Sequence, residues 1–270
     1  GEYEWQGFRD DLPRELNPER GWVATANHDI HPPDYDPPLF FKRQGPFPRF
    51  ERVAEVLSKG AALTVQNSRD LQHDAYSASA AAALEQFRGW VASDPEVERY
   101  RQELADWDGV SRREDRAAAI YRHVRRVMSG GGRGGQGGRG EADPEKALAT
   151  ALDRLRQEQG DDSDQWRWGR TNRSEFPHSL VSAYDLPAAE RSGGGGTVAA
   201  IGATYREIID FSDLDGSVAT NAPGQSGRPG SPFYGNLTES WANQEYFPLS
   251  FSREAVESNA EYRLLLRPGS

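Results

Sequence analysis

Between residues 46 and 157 apolar side chains recur at three- and four-residue spacing, whereas after residue 197 they gather in short β-branched runs. No all-helical or all-strand fold accommodates both patterns. Val53, Val56 and Leu57 predict an amphipathic helix that stops at Gly60, with Arg49 in its first turn. Thr64 opens a longer helical run through Leu71, Ala75, Ala78, Ala82 and Phe87, whose alanines suit close packing against a neighbour. Further helices are expected over 97–107, over 112–128 with Ile120, Val124 and Val127 on one stripe, and over 144–157, where Asp143 can cap and Pro144 occupies the first turn. Strands are predicted over 197–201, 205–211, 217–221 and 262–266, with a helix over 234–243. At the other end, residues 21–27 read as a strand running into the proline pairs Pro32-Pro33 and Pro37-Pro38, with Asn27 near its end. The expectation is an α+β fold, with strands at both ends, a helical middle and one domain over residues 1–270.

Two glycine-rich segments interrupt the periodicity. Residues 129–142 contain a glycine-arginine run that reads as a flexible insertion, and Gly193 to Gly196 read as a second loose link. The run resembles RNA-contacting tails in composition only. It lacks interleaved aromatics, and the formal charge of −10 argues against nucleic acid or an anionic membrane surface as partner. Neither link has the lysine and hydroxyl of a phosphate-binding loop. With 36% hydrophobic and 27% charged residues, ten tyrosines and seven tryptophans, the composition is that of a folded chain. There are no cysteines, which excludes a disulfide framework and a thiolate nucleophile. No stretch approaches the roughly 20 apolar residues that cross a bilayer. The opening, Gly1-Glu2-Tyr3-Glu4-Trp5, has no initiator methionine or signal-like region and reads as the middle of a longer protein.

Four separated stretches carry a resemblance. They are Asn17-Pro18-Glu19-Arg20-Gly21-Trp22-Val23-Ala24-Thr25-Ala26-Asn27-His28; then Pro48-Arg49-Phe50-Glu51-Arg52-Val53 with Leu71-Gln72-His73-Asp74; then Trp166-Arg167-Trp168-Gly169 with Phe176-Pro177-His178-Ser179-Leu180; and last Pro223-Gly224-Gln225-Ser226-Gly227 with Ser231-Pro232-Phe233-Tyr234 and Trp241. In this order they resemble the penicillin amidase family of N-terminal nucleophile hydrolases, over most of the chain. The resemblance implies the carboxy-terminal part of that family's large chain, within a layered αββα body.

It also implies the chemistry. The family's nucleophile, usually serine, is the first residue of the processed large chain, and its own α-amino group is the base. Gly1 has no side-chain oxygen, so the nucleophile is expected upstream. The partners implied are an upstream small chain, the amino-terminal part of the large chain and a small amide substrate. The resemblance carries the oxyanion-stabilising asparagine to Asn27 and the arginine that holds its surroundings to Arg49, with Arg52 a rival one turn on. No cofactor is required for this chemistry. The family often binds calcium through the loop between these residues; Pro37 and Pro38 stand near the ligand position, which argues against calcium unless Asp34 or Asp36 supplies the oxygen. Export to the periplasm or beyond is usual in the family.

Other readings compete. His28, His31, Asp34 and Asp36 invite a divalent-metal site, but in an extended strand Asn27, Asp29 and His31 share one face and His28 takes the other. Ser226 sits in a sequence like a nucleophile elbow, yet Arg228 replaces its final glycine, so a glycine-rich turn is the better reading. His178 is expected to be structural, and the aromatics Trp166, Trp168, Phe233, Tyr234, Trp241, Tyr246 and Phe247 to pack a core. The alternative from another functional class is a non-catalytic scaffold or binding relative of the same fold.

Overall fold

A computed structural model describes residues 2–5, 7–8, 10–32, 35, 45–60, 63–129, 143–199 and 202–269. The chain divides into two compact units, Gly1–Ala61 and Ala62–Ser270.

In the first unit the one helix among the described residues is α1, Pro48–Leu57. Pro48 begins it, the Glu51 carboxylate accepts from the Phe47 amide at 3.2 Å, and Gly60, at φ 70°, follows its end. Arg49 is therefore in the first turn, as the spacing predicted. The strand expected over 21–27 does not form: these residues belong to no ladder among the described residues. A turn closes between the Gly21 amide and the Pro18 carbonyl at 2.9 Å, and Asn27 adopts φ 56°. A left-handed residue ends any extended alternation, and asparagine is among the few side chains that tolerate it.

The second unit opens with α2, Val65–Gln72, and α3, Ala78–Arg88. The sequence predicted one run here. Thr64 does begin it, through a reciprocal cap with Asn67, but Ser77 caps α3 separately and Tyr76 pairs with Val110 between the two helices. Then come α4 (Pro95–Asp106), α5 (Arg116–Met128) and α6 (Pro144–Gln159). Asp94 and Asp143 cap α4 and α6, each ahead of a proline, as expected for Asp143. The glycine-arginine insertion lies, apart from Ser129, outside the described residues. Leu84, Phe87, Leu104, Ile120, Leu148 and Leu152 from these helices meet in one buried cluster that Trp166 and Trp168 join. Each such side chain contributes about 1.5–3 kcal/mol on burial.

A short helix, α7 (Trp168–Thr171), leads into an antiparallel hairpin of β1 (Arg173–Phe176) and β2 (Leu186–Glu190). A three-stranded antiparallel sheet follows in the order β3 (Arg206–Ile208), β4 (Val218–Thr220), β5 (Phe247–Pro248), with α8 (Thr238–Ala242) before β5 and α9 (Arg253–Asn259) after it. The strands predicted over 205–211 and 217–221 are thus present but shorter, and the helix over 234–243 contracts to α8. Residues 197–199 form turns rather than a strand, with the Ala199 amide donating to the Asp74 carbonyl at 2.9 Å; residues 200–201 lie outside the described residues. No strand forms over 262–266, where Leu264, Leu265 and Leu266 are exposed. Gly193 and Gly194 are not a loose link. Both are buried, the Gly193 amide donates to the Ser111 carbonyl at 2.8 Å, and the Gly193 carbonyl accepts from Trp168 Nε1 at 2.7 Å. At φ 79° a Cβ on Gly193 would meet the Ala199 carbonyl at 2.0 Å, so backbone approach requires glycine there.

Candidate active site

α1 carries Arg49 to Asn27. Arg49 Nη2 donates to Asn27 Oδ1 at 2.9 Å and to the Ala26 carbonyl at 3.2 Å. A guanidinium in a helix's first turn points back past the helix start, which is where residues 26 and 27 run. The neighbouring residue is braced against the same turn. The His28 ring stacks on Phe50 at 3.7 Å between centroids, meets Phe47 edge-on at 5.9 Å, and its Nδ1 accepts from the Ala26 amide at 3.3 Å. Residues 26 to 28 are thus held by two guanidinium hydrogen bonds, an amide contact and two ring contacts. The sequence did not disclose the roles of His28, Phe47 and Phe50. Their signal was present only as aromatic residues flanking Arg49 and a histidine following Asn27.

Because Oδ1 of Asn27 accepts from a cation, the amide has a defined orientation: its Nδ2 donors lie on the opposite branch of the side chain. A charge-assisted bond of this kind is roughly twice as strong as a neutral one. Asn27 itself is exposed within this chain, so the donor is on the surface of the described unit rather than in its interior. Arg52, the rival, pairs through Nη1 with Glu55 Oε2 at 2.8 Å along its own helix.

His31 and His28 are committed to different neighbours. His31 Nδ1 lies 2.5 Å from Asp29 Oδ1, and its ring stacks on Tyr35 at 5.5 Å. Among the described residues no group of three or more histidine, cysteine, aspartate and glutamate side chains is arranged to hold a metal ion. Asp34, Asp36, Pro37 and Pro38 lie outside the described residues, and with them the loop from which calcium would draw its ligand.

In the second unit, Ser226 Oγ accepts from the Arg228 amide at 3.1 Å, and the Ser226 amide donates to the Phe233 carbonyl at 3.0 Å. A Cβ on Gly224 would stand 2.3 Å from that same carbonyl, so the glycine is required by the turn. His178 Nδ1 accepts from the Leu180 and Val181 amides at 3.2 and 3.0 Å, which occupies the nitrogen a base would use. A cleft of about 560 Å³ runs between these segments, lined by Phe176, His178, Gly224, Ser226 and Tyr234. It contains a capped turn and a capped histidine, not a nucleophile and its base. Trp166, Trp168 and Trp241 are buried, as the core reading required, whereas Phe233 is exposed.

The penicillin amidase family model matches residues 1–258. The chain is 24% identical over 359 residues to the acyl-homoserine lactone acylase QuiP of Pseudomonas aeruginosa, covering 99% of this chain and 42% of that protein. It is 27% identical over 320 residues to the penicillin acylase 2 proenzyme of Pseudomonas sp. strain SE83, covering 96% and 40%. The thermostable penicillin G acylase from Alcaligenes faecalis superposes with a TM-score of 0.56 at 16% identity, over 94% of this chain and 58% of that one. That likeness carries the α+β fold of a layered N-terminal nucleophile hydrolase. The chain therefore spans about four tenths of the length of the curated relatives it matches. With the motifs in family order and nearly all of its length matched, the chain belongs to the penicillin amidase family of amide hydrolases.

Proposed function

We propose that the complete protein is an acylase that hydrolyses the carbon–nitrogen bond of a linear carboxamide through an acyl-enzyme. The observation that carries this reading is the 2.9 Å bond from Arg49 to Asn27 Oδ1. In amide hydrolysis, negative charge appears on the carbonyl oxygen only as the tetrahedral intermediate forms, so a donor oriented in advance stabilises the transition state more than the substrate. Asn27 is that donor, and Arg49 positions it. One such donor is typically worth about 2.7–4 kcal/mol.

The nucleophile is the terminal serine, threonine or cysteine of a processed large chain that begins upstream of these residues, with its own α-amino group as base. An upstream small chain and the first part of the large chain complete the site, and the protein is exported. The names of two relatives point to two substrate groups, acyl-homoserine lactones and penicillins, both of which present a side-chain amide to a hydrolase. The test is a panel of such amides, with aromatic and aliphatic acyl groups, offered to the complete processed protein while mass spectrometry follows the nucleophile-bearing peptide. An acyl adduct on that peptide and release of free acid are expected. Failure to cleave any member of the panel, with processing intact, would leave the scaffold reading as the better one.

A further inference from the structure

Arg191, which follows β2, is 2% exposed and lies against the face of the fully buried Trp241, 3.5 Å from its ring centroid. Its Nε and Nη1 atoms are buried and have no hydrogen-bond partner among the described residues. Two more guanidinium groups share a neighbour with it, Tyr246. Arg206, at the start of β3, is 7% exposed, and Arg69 of α2 lies 4.9 Å over the ring of Tyr246. Tyr246 and His73 belong to the same cluster. The Gln72 amide fixes them: its Nε2 donates to the Glu207 carbonyl at 2.9 Å, so its Oε1 accepts from the Tyr246 hydroxyl at 2.7 Å, and His73 Nε2 reaches that hydroxyl at 2.8 Å. The positive charges of Arg206, Arg69 and Arg191 all bear on Tyr246, and those of Arg206 and Arg113 bear on Arg191.

A buried cation is retained when an anion meets it, because desolvation without pairing is costly and like charges add to that cost. Stacking on Trp241 offsets part of the cost but leaves the Nε and Nη1 donors without an acceptor among the described residues. Each of these donors suits an oxygen of a carboxylate or phosphate, in a charge-assisted bond. We propose that Arg191, with Arg69 and Arg206 around it, forms a buried anion site that takes a single oxyanion. The oxyanion comes either from a carboxylate side chain of a protein segment outside these residues or from a free small anion. The inference does not depend on the proposed function.

The test is the thermal unfolding of the complete protein, wild type, Arg191→Met and Arg69→Gln, in inorganic phosphate and in sodium chloride of equal ionic strength. If a free anion fills the site, phosphate raises the wild-type midpoint by roughly 2–4 °C over chloride and does not raise that of Arg191→Met. If an internal carboxylate fills it, phosphate has no special effect, Arg191→Met melts lower at pH 7, and that deficit shrinks towards pH 4 as the carboxylate protonates. Among the charged and titratable groups facing Arg191, the arginines stay charged over this range and Tyr246 stays neutral, but His73 is held at about 3 partly by Arg191 itself and rises when that charge is removed, so the pH comparison is made in a His73→Gln background, where only the carboxylate is left to shrink the deficit. Equal phosphate and chloride midpoints together with a deficit that is absent or independent of pH overturn the proposal. Should Arg191→Met fail to fold, Arg69→Gln decides by the same criteria, since Arg69 is only half-buried.

Discussion

Arg49 and Asn27 are 22 residues apart in the chain and joined by one hydrogen bond, in which a helix's first turn orients an amide that the backbone alone leaves at φ 56°. Residues that act through one another give non-additive losses. In the complete enzyme, Arg49→Ala is expected to lower kcat/KM about tenfold or more, and Asn27→Ala/Arg49→Ala to be no worse than Asn27→Ala alone, within roughly threefold. Losses that multiply would show that the two side chains serve the reaction separately.

The close approach at Gly224 predicts a stability effect without a direct role in chemistry. A Cβ there would stand 2.3 Å from the Phe233 carbonyl and 2.8 Å from that of Tyr234, both backbone atoms that cannot swing aside. Gly224→Ala is expected to cost about 1–3 kcal/mol, read as a lower denaturation midpoint. Serine at 226 can be tested in parallel: Ser226→Ala removes only a turn contact to Arg228 and should leave turnover unchanged. A loss of activity confined to Ser226→Ala would revive the elbow reading.

His73 sets a pH dependence. Its burial, and then the charges of Arg206 and Arg191, lower it from 6.5 to about 3 in the folded protein. Between those values the unfolded chain binds a proton that the folded chain refuses, so stability present above pH 6.5 is lost as the pH falls towards 3. His73→Gln should flatten that part of the stability curve while leaving the loss from carboxylate titration at lower pH. A curve of unchanged slope in the variant would contradict a neutral, buried His73.

The helices were legible because their ends were written in the sequence. Asp143 with Pro144, Thr64, and Gly60 after the apolar stripe mark boundaries by capping chemistry, and Arg49 could be assigned to a first turn from them. The break between α2 and α3 was not, since alanine at 75 and 78 continues a helical pattern that the Ser77 cap and the pairing of Tyr76 with Val110 interrupt. The β1–β2 hairpin was invisible for a related reason. Arg-Ser-Glu-Phe and Leu-Pro-Ala-Ala-Glu carry no alternation of apolar residues, and their pairing comes from tertiary position. Asn27 was legible as a residue but not as a conformation: β-branched neighbours favour extension, and the turn, the Arg49 contact and the His28 stack prevail. Nothing local marks Arg191 or Arg206 for burial, since an arginine is usually exposed and only the assembled unit encloses these.

The proposed chemistry rests on the Asn27 side chain donating to the oxyanion, and the most direct measurement is kcat/KM of Asn27→Ala in the complete processed enzyme on its best amide substrate. A fall of about 10²–10³, carried mainly by kcat and with processing and fold intact, is the predicted result. Turnover retained within about tenfold of wild type would contradict the assigned role.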